Sequence, residues 1–320
     1  MRTMRIAGGL LLTAVAAAAA APLSDFIAVS RAADETWLLK RGGQSLFVQR
    51  GTSAPLPAAT FHLRDGRPFP WDREPLSLVR WRDRWLVANG GRNLWEFAGD
   101  GAFIDAVPAP SLITDVAAGA GVLWAYSAAA PPGLPSLWIS SDARRFSPVQ
   151  AAVTGGRGSP EEHVIAAQLI VAVSPRQELL FVHAAGAPEL TRVGAGGAAR
   201  AFPLAYSRST ARARLERFRP DAHDLTAYSQ PARDVAVDGR GQIVVLRNRE
   251  DVRDRGKLAA IRGLRADRYS SDGRHLATAT FPATVRFILR SDASRVLGLT
   301  DTGVVVTAAF GPPIAGGIVP

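Results

Sequence analysis

The chain has 320 residues, of which 47% are hydrophobic and 21% charged. That excludes a disordered chain and supplies a sizeable core. Its zero Cys exclude disulfides, thiol catalysis, Cys-ligated zinc and a lipid anchor on cysteine, and 30 Gly with 22 Pro favour many turns over long helices. The formal charge of +10 favours a protein partner or an anionic envelope or glycan ligand over nucleic acid; the competing reading is that Arg is simply the scattered surface cation.

Arg2 and Arg5 precede an apolar stretch at 6–21, and small residues follow. This is the pattern of a secretory signal peptide over 1–21, cut near Ala21. A cut near Ala32, or retention as an N-terminal anchor, is the alternative. No later apolar run is long enough to span a membrane. Residues 22–320 are then expected to form a single exported domain, bacterial by composition, monomeric, and periplasmic or secreted.

Along the chain one unit recurs: a strand, a tight turn at Asp-Gly or a relative, and a second strand ending near Pro. It appears around Asp65–Gly66, Asp100–Gly101, Asp142, Gly196–Gly197 and Asp272–Gly273. Ahead of each lies a pair of short apolar strands, at 36–50, 76–89, 112–127, 164–183, 232–248 and 284–301. Apolar alternation marks half-buried strands, and the continuous run at 243–246 marks an inner strand covered on both faces. Six four-stranded units of this size are propeller blades. The expected fold is therefore all-β, a six-bladed β-propeller of four-stranded antiparallel blades. The last unit continues only as 302–311, so residues 25–32 are expected to supply its missing strand and close the ring by pairing the N- and C-terminal strands.

The stretch PARDVAVDGRGQIVVLRN followed by ADRYSSDGRHLATATFP, within 231–282, resembles a blade of the six-bladed propellers of the NHL and TolB-like type. Elsewhere the likeness is degraded, and a charged insert, REDVRDRGKLAA, separates the two hairpins here. The resemblance implies the fold and no particular activity, since this architecture hosts binders, lactonases, lyases and structural modules.

Departures from the repeat are where a propeller would act. The largest, an insertion at 206–230, holds Tyr206, Arg208, Arg212, Arg214, Arg217, Phe218, Arg219, His223 and Tyr228. Guanidinium groups beside aromatic rings make a lip for an anionic ligand or a protein. The bland reading is a solvated crossover whose Arg residues pair with Glu216, Asp221 and Asp224. Arg247 and Asn248 end the best-preserved hairpin where the repeat stops, and join the candidate binding set.

Catalytic signals are poor. The five His residues have no metal-ligand spacing, and neither a nucleophile elbow nor a phosphate loop is present. No catalytic or metal residue and no cofactor is assigned. Seven Trp fall in the first half, where packing between blades is the expected role. The expected function is a non-catalytic binding or protein-interaction module of the bacterial envelope. The alternative is a lactonase-like hydrolase with a metal in the channel, fed by strand-end residues such as Asn89, Asn248 and Asp301.

Overall fold

The computed structural model describes residues 26–32, 35–128, 130, 135–150, 169–183, 189–204, 232–248, 263–300 and 302–312. Every regular element among them is a strand, as β-branched and aromatic runs punctuated by Gly, Asp and Pro dictate. The first sheet is β1 (Phe26–Ala32), β2 (Glu35–Lys40), β3 (Ser45–Arg50) and β4 (Leu56–Thr60). The second is β5 (Ser77–Trp81), β6 (Arg84–Ala88), β7 (Asn93–Ala98) and β8 (Phe103–Pro108). The third is β9 (Asp115–Ala118), β10 (Leu123–Tyr126), β11 (Leu137–Ser140) and β12 (Ser147–Val149). The fourth is β13 (Leu169–Val173), β14 (Leu179–His183), β15 (Glu189–Val193) and β16 (Ala199–Pro203).

The fifth sheet has six strands: β17 (Ala232–Val237), β18 (Ile243–Asn248), β19 (Gly263–Tyr269), β20 (His275–Ser291), β21 (Arg295–Thr300) and β22 (Val305–Gly311). It is a double unit because β20 runs on without a break. The first part of β20 pairs mainly with β19 and its last part with β21. All pairings in the five sheets are antiparallel, and all but a two-residue contact between β20 and β22 join strands consecutive in the chain. The architecture is a β-propeller of four-stranded antiparallel blades, with five sheets among the described residues.

The core lies between sheets. Trp37, Leu39 and Phe61 pack on Trp85 and Phe97; Trp81 and Leu94 pack on Val116 and Trp138. Trp124 and Leu137 meet Leu179 and Phe181, and Leu180 and Leu190 meet Val235 and Val245. Within the double sheet, Val244 and Leu246 face Val285 and Val296. Leu289, Leu297 and Leu299 then return to Phe26 and Leu38. Five of the seven Trp are buried here, the packing role expected of them.

Two expectations need correction. Residues 36–50 are not an inner hairpin but the second and third strands of the first sheet, with β1 inside them. β2 buries four consecutive side chains, as a strand covered on both faces does, and it pairs with β1 along one edge and β3 along the other. The ring is consequently not closed by strand exchange: among the described residues β1 pairs with β2 alone, and β22 pairs with β21 and two residues of β20. Second, the Asp65–Gly66 turn is local. Gly66 N donates to Leu63 O at 2.9 Å, but its flanks make only isolated bridges, from His62 to Pro68 and to Ala102. Phe61, Phe69 and Trp71 instead fold onto Trp95, Phe97 and Phe103 in an aromatic cluster, where ring burial outweighs ladder formation.

Free edges of the innermost strands are capped by side chains of the neighbouring unit, because buried backbone donors need partners. Ser30 Oγ on β1 accepts from Arg80 N on β5 at 3.0 Å. Ser77 Oγ on β5 accepts from Val116 N on β9 at 3.2 Å. Asp234 Oδ2 on β17 accepts from Ile288 N on β20 at 2.6 Å.

Candidate functional site

Alternating strand direction sorts the connections onto two ends of the ring. First-to-second and third-to-fourth strand turns lie at one end, and they are tight: 82–83, 119–122, 174–178, 238–242, 99–102, 194–198 and 270–274. Second-to-third and sheet-to-sheet connections leave from the other end, and they include 61–76, 127–136, 150–168, 204–231 and 249–262. Every long departure from the repeat thus leaves from strand termini at one end, the arrangement by which a rigid scaffold presents variable loops.

Of the residues singled out from the sequence, Tyr206, Arg212, Arg214, Arg217, Arg219, His223 and Asp301 lie outside the described residues. The strands flanking the insertion, β16 and β17, end and begin at the long-connection end. Asn248 closes β18, and its side chain lies outside the described residues. Asn89 is buried, donating to Asp72 Oδ1 at 2.8 Å and accepting from Gly91 N at 3.1 Å, so its amide serves a turn.

Arg247 is buried and its guanidinium ion-pairs with Asp267, a fully buried carboxylate of β19. Thr278 Oγ1 donates to Asp267 Oδ1 at 2.7 Å, and His275 Nε2 lies 3.4 Å from that oxygen and 3.1 Å from Thr278 Oγ1. The residue types are those of a nucleophile relay, but the geometry is not. One ring nitrogen faces both partners, so the imidazole cannot pass a proton from Thr278 toward the acid. The cluster neutralises a buried charge inside the sheet.

A second polar cluster sits where the ring closes. Arg31 of β1 ion-pairs with Asp234 of β17, donates from Nε to Ile288 O at 2.7 Å and from Nη1 to Val235 O at 3.4 Å. Burial pushes the Asp234 carboxyl up, against the opposing pull of the Arg31 charge and the Ile288 and Val235 amides. Sequence reading missed this pair because its members are 203 positions apart.

A third feature is the seam between the third and fourth sheets. A narrow cleft is lined by Asp115, Val116, Trp124, Tyr126, Val171 and Leu179, among others, and is too constricted to admit a water molecule. Asp115 is its one acid, and burial pushes that carboxyl up to about 7, only partly offset by a hydrogen bond with Thr114. Tyr126, its cross-strand partner, has its phenol pushed up by burial and then by the Asp115 charge. Among the described residues no group of three or more His, Asp or Glu could hold a metal, and no helix is long and apolar enough to cross a membrane.

No protein-family model matches the chain, and no curated protein matches it in sequence. In fold it is similar to a structural genomics protein of unknown function from Bacteroides thetaiotaomicron, with 11% identity, 89% of this chain and 70% of that one covered, and a TM-score of 0.52. It is also similar to YCF48 bound to D1 peptide, with 11% identity, 90% and 93% covered, and a TM-score of 0.48. Virginiamycin B lyase from Staphylococcus aureus gives 8% identity, 90% and 96% covered, and a TM-score of 0.47. The likeness extends to 837 solved chains, so it identifies an architecture and no activity.

Proposed function

We propose that this chain is an exported, non-catalytic binding module of the bacterial envelope, a monomer of the periplasm or cell exterior that takes a protein or an anionic glycan ligand. The binding surface is assigned to the long-connection end, from which the insertion carrying Tyr206, Arg212, Arg214, Arg217, Arg219 and His223 leaves. Arg247 and Asn248 end β18 at the same end, Arg247 paired with Asp267. The observation that carries this reading is the sorting of all long connections to one end, opposite a face of tight turns. A formal charge of +10 favours an anionic partner at that end.

The ring is read as six blades of the NHL and TolB-like kind. Support comes from six apolar clusters, one at each junction around the ring, and from the double sheet, whose last part of β20 starts a further unit with β21 and β22.

The test is capture by crosslinking from native envelope extract. Replacing Arg212, Arg214 and Arg217 together with Ser is expected to abolish the salt-sensitive capture seen with the unaltered protein and to leave its melting temperature nearly unchanged. Capture that survives the triple substitution removes the lip from the proposal.

A further inference from the structure

The outermost strands of the first four sheets, and the first part of β20 that takes this place in the fifth, each carry a proline. They are Pro57 in β4, Pro108 in β8, Pro148 in β12, Pro203 in β16 and Pro282 in β20. A proline cannot donate to a ladder, so it blunts the edge that such a strand presents. β22 stands last in its sheet, yet it reads VVTAAFG and holds neither proline nor charge. Phe310 N donates to Ser294 O at 2.8 Å and Thr300 N to Val304 O at 2.9 Å, so the even-numbered positions bond to β21. Antiparallel bonds alternate, and Val305, Thr307 and Ala309 therefore aim their N–H and C=O groups at the opposite edge. An uncharged, proline-free edge of this kind suits the addition of a strand.

The segment that follows begins as an outer turn begins. Gly101 and Gly197 lie against the Thr60 and Gln150 carbonyls of the preceding sheet. Gly311 lies likewise beside the Thr278 carbonyl of β20, and Phe310 and Gly311 pair with Ala279 and Thr278. Outer turns range from 99–102 to the longer 141–146. Even the longer one, placed after Gly311, leaves 318–320 for a strand, and β12 has only 3 residues. Residues 313–320 read PIAGGIVP, uncharged like the edge beside them. Their Val319-Pro320 ending repeats that of β8, β16 and the first part of β20, where Val107, Phe202 and Phe281 precede the proline and are buried. The next junction also has room. Gly101 and Ala143 in the outer turns of the second and third sheets are buried, whereas 51–54, the matching turn of the first sheet, are all exposed.

We propose that residues 313–320, which lie outside the described residues, supply the outermost strand of the last unit by pairing antiparallel with the open edge of β22. That edge is thus a strand acceptor whose occupant is the chain's own following segment. The proposal rests on reading the last part of β20 with β21 and β22 as a sixth unit, and is independent of what the long connections bind.

Amide exchange followed residue by residue tests it, in the intact chain and in one ending at Pro312. Thr307 and Ala309 are expected to be protected in the intact chain and to lose about tenfold in protection when 313–320 are removed, while Val306 and Ala308, bonded to β21, change less than about twofold. Should the shortened chain not fold, Ala309→Cys with Val319→Cys in the full-length sequence, which has no other cysteine, is expected to form an intramolecular disulfide about tenfold faster folded than in urea. Unprotected Thr307 and Ala309 in the intact chain, protection that survives the deletion, or equal disulfide rates would overturn the proposal. Protection of Thr307 and Ala309 that grows with protein concentration would overturn it in favour of a second copy of the chain at that edge. Unprotected Val306 and Ala308 in the intact chain would overturn it through the sixth unit itself, because β21 and β22 would then not pair.

Discussion

At the scale of residues, the closing pair Arg31 and Asp234 concentrates the most on the fewest atoms. Arg31 reaches two backbone carbonyls and a buried carboxylate, and that carboxylate also takes the Ile288 and Val235 amides. Replacing Arg31 by Met keeps the stem and removes the charge, leaving Asp234 buried without its counter-ion. The expected loss is about 3 kcal/mol in a urea titration, at the lower end for such pairs because Arg31 retains some solvent contact. Adding Asp234→Asn should restore about 1 kcal/mol, since the amide oxygen still accepts from Ile288 N while the orphan charge is gone. A double variant weaker than Arg31→Met would show that Asp234 finds another counter-ion. None of this was legible in the sequence. Arg31 reads there as one of many scattered cations and Asp234 as the start of a strand, and only ring closure brings them together.

At the scale of elements, the outer turns show why the repeat was legible. Gly101, Gly197 and Gly273 all adopt positive φ, and each lies against the end of the outermost strand of the preceding sheet, at Thr60, Gln150 and Phe202. Ala143 takes the equivalent place in the third sheet at φ 61° and is buried. One local conformation and one docking contact recur, so one sequence signature recurs. A Cβ on Gly101 would collide with the Thr60 carbonyl oxygen in a backbone conformation that already disfavours side chains. Gly101→Ala should therefore cost about 2–4 kcal/mol, read as a lowered melting temperature. Gly239→Ala, in a turn with open space and no positive φ, should be neutral within about 0.5 kcal/mol. Equal costs would mean that the docking contact contributes nothing. The Asp65–Gly66 turn marks the limit of the signature. Asp-Gly makes the turn wherever it stands, but whether its flanks join a ladder depends on the aromatic rings of another sheet.

At the scale of the whole molecule, the first sheet decides how the ring is counted and where the folded chain must start. Its inner hairpin reads one strand too late in the sequence because the Gly42–Gly43 turn, between β2 and β3, is as short as the innermost turns elsewhere and as glycine-rich as those at 119–122 and 238–242. Connection length cannot separate the two ends of a sheet when both are tight, and the long connections that do separate them begin only after β4. Placing β1 inside that sheet makes the two candidate leader cuts inequivalent. Along β1, Phe26, Ala28 and Ser30 are buried, Ser30 caps Arg80 N, and Arg31 fastens the ring to β17 and β20. A chain beginning at Ala33 lacks all of this. It exposes one edge of β2, opens the core around Leu38 and leaves Asp234 without its counter-ion. A chain beginning at Pro22 keeps the whole strand. We therefore expect the Pro22 start to give a cooperative thermal transition and the Ala33 start to give insoluble protein or a broad, non-cooperative melt. Terminal sequencing of exported material should accordingly place any natural cut before Phe26, and a folded, cooperative Ala33 chain would remove β1 from the closure of the ring.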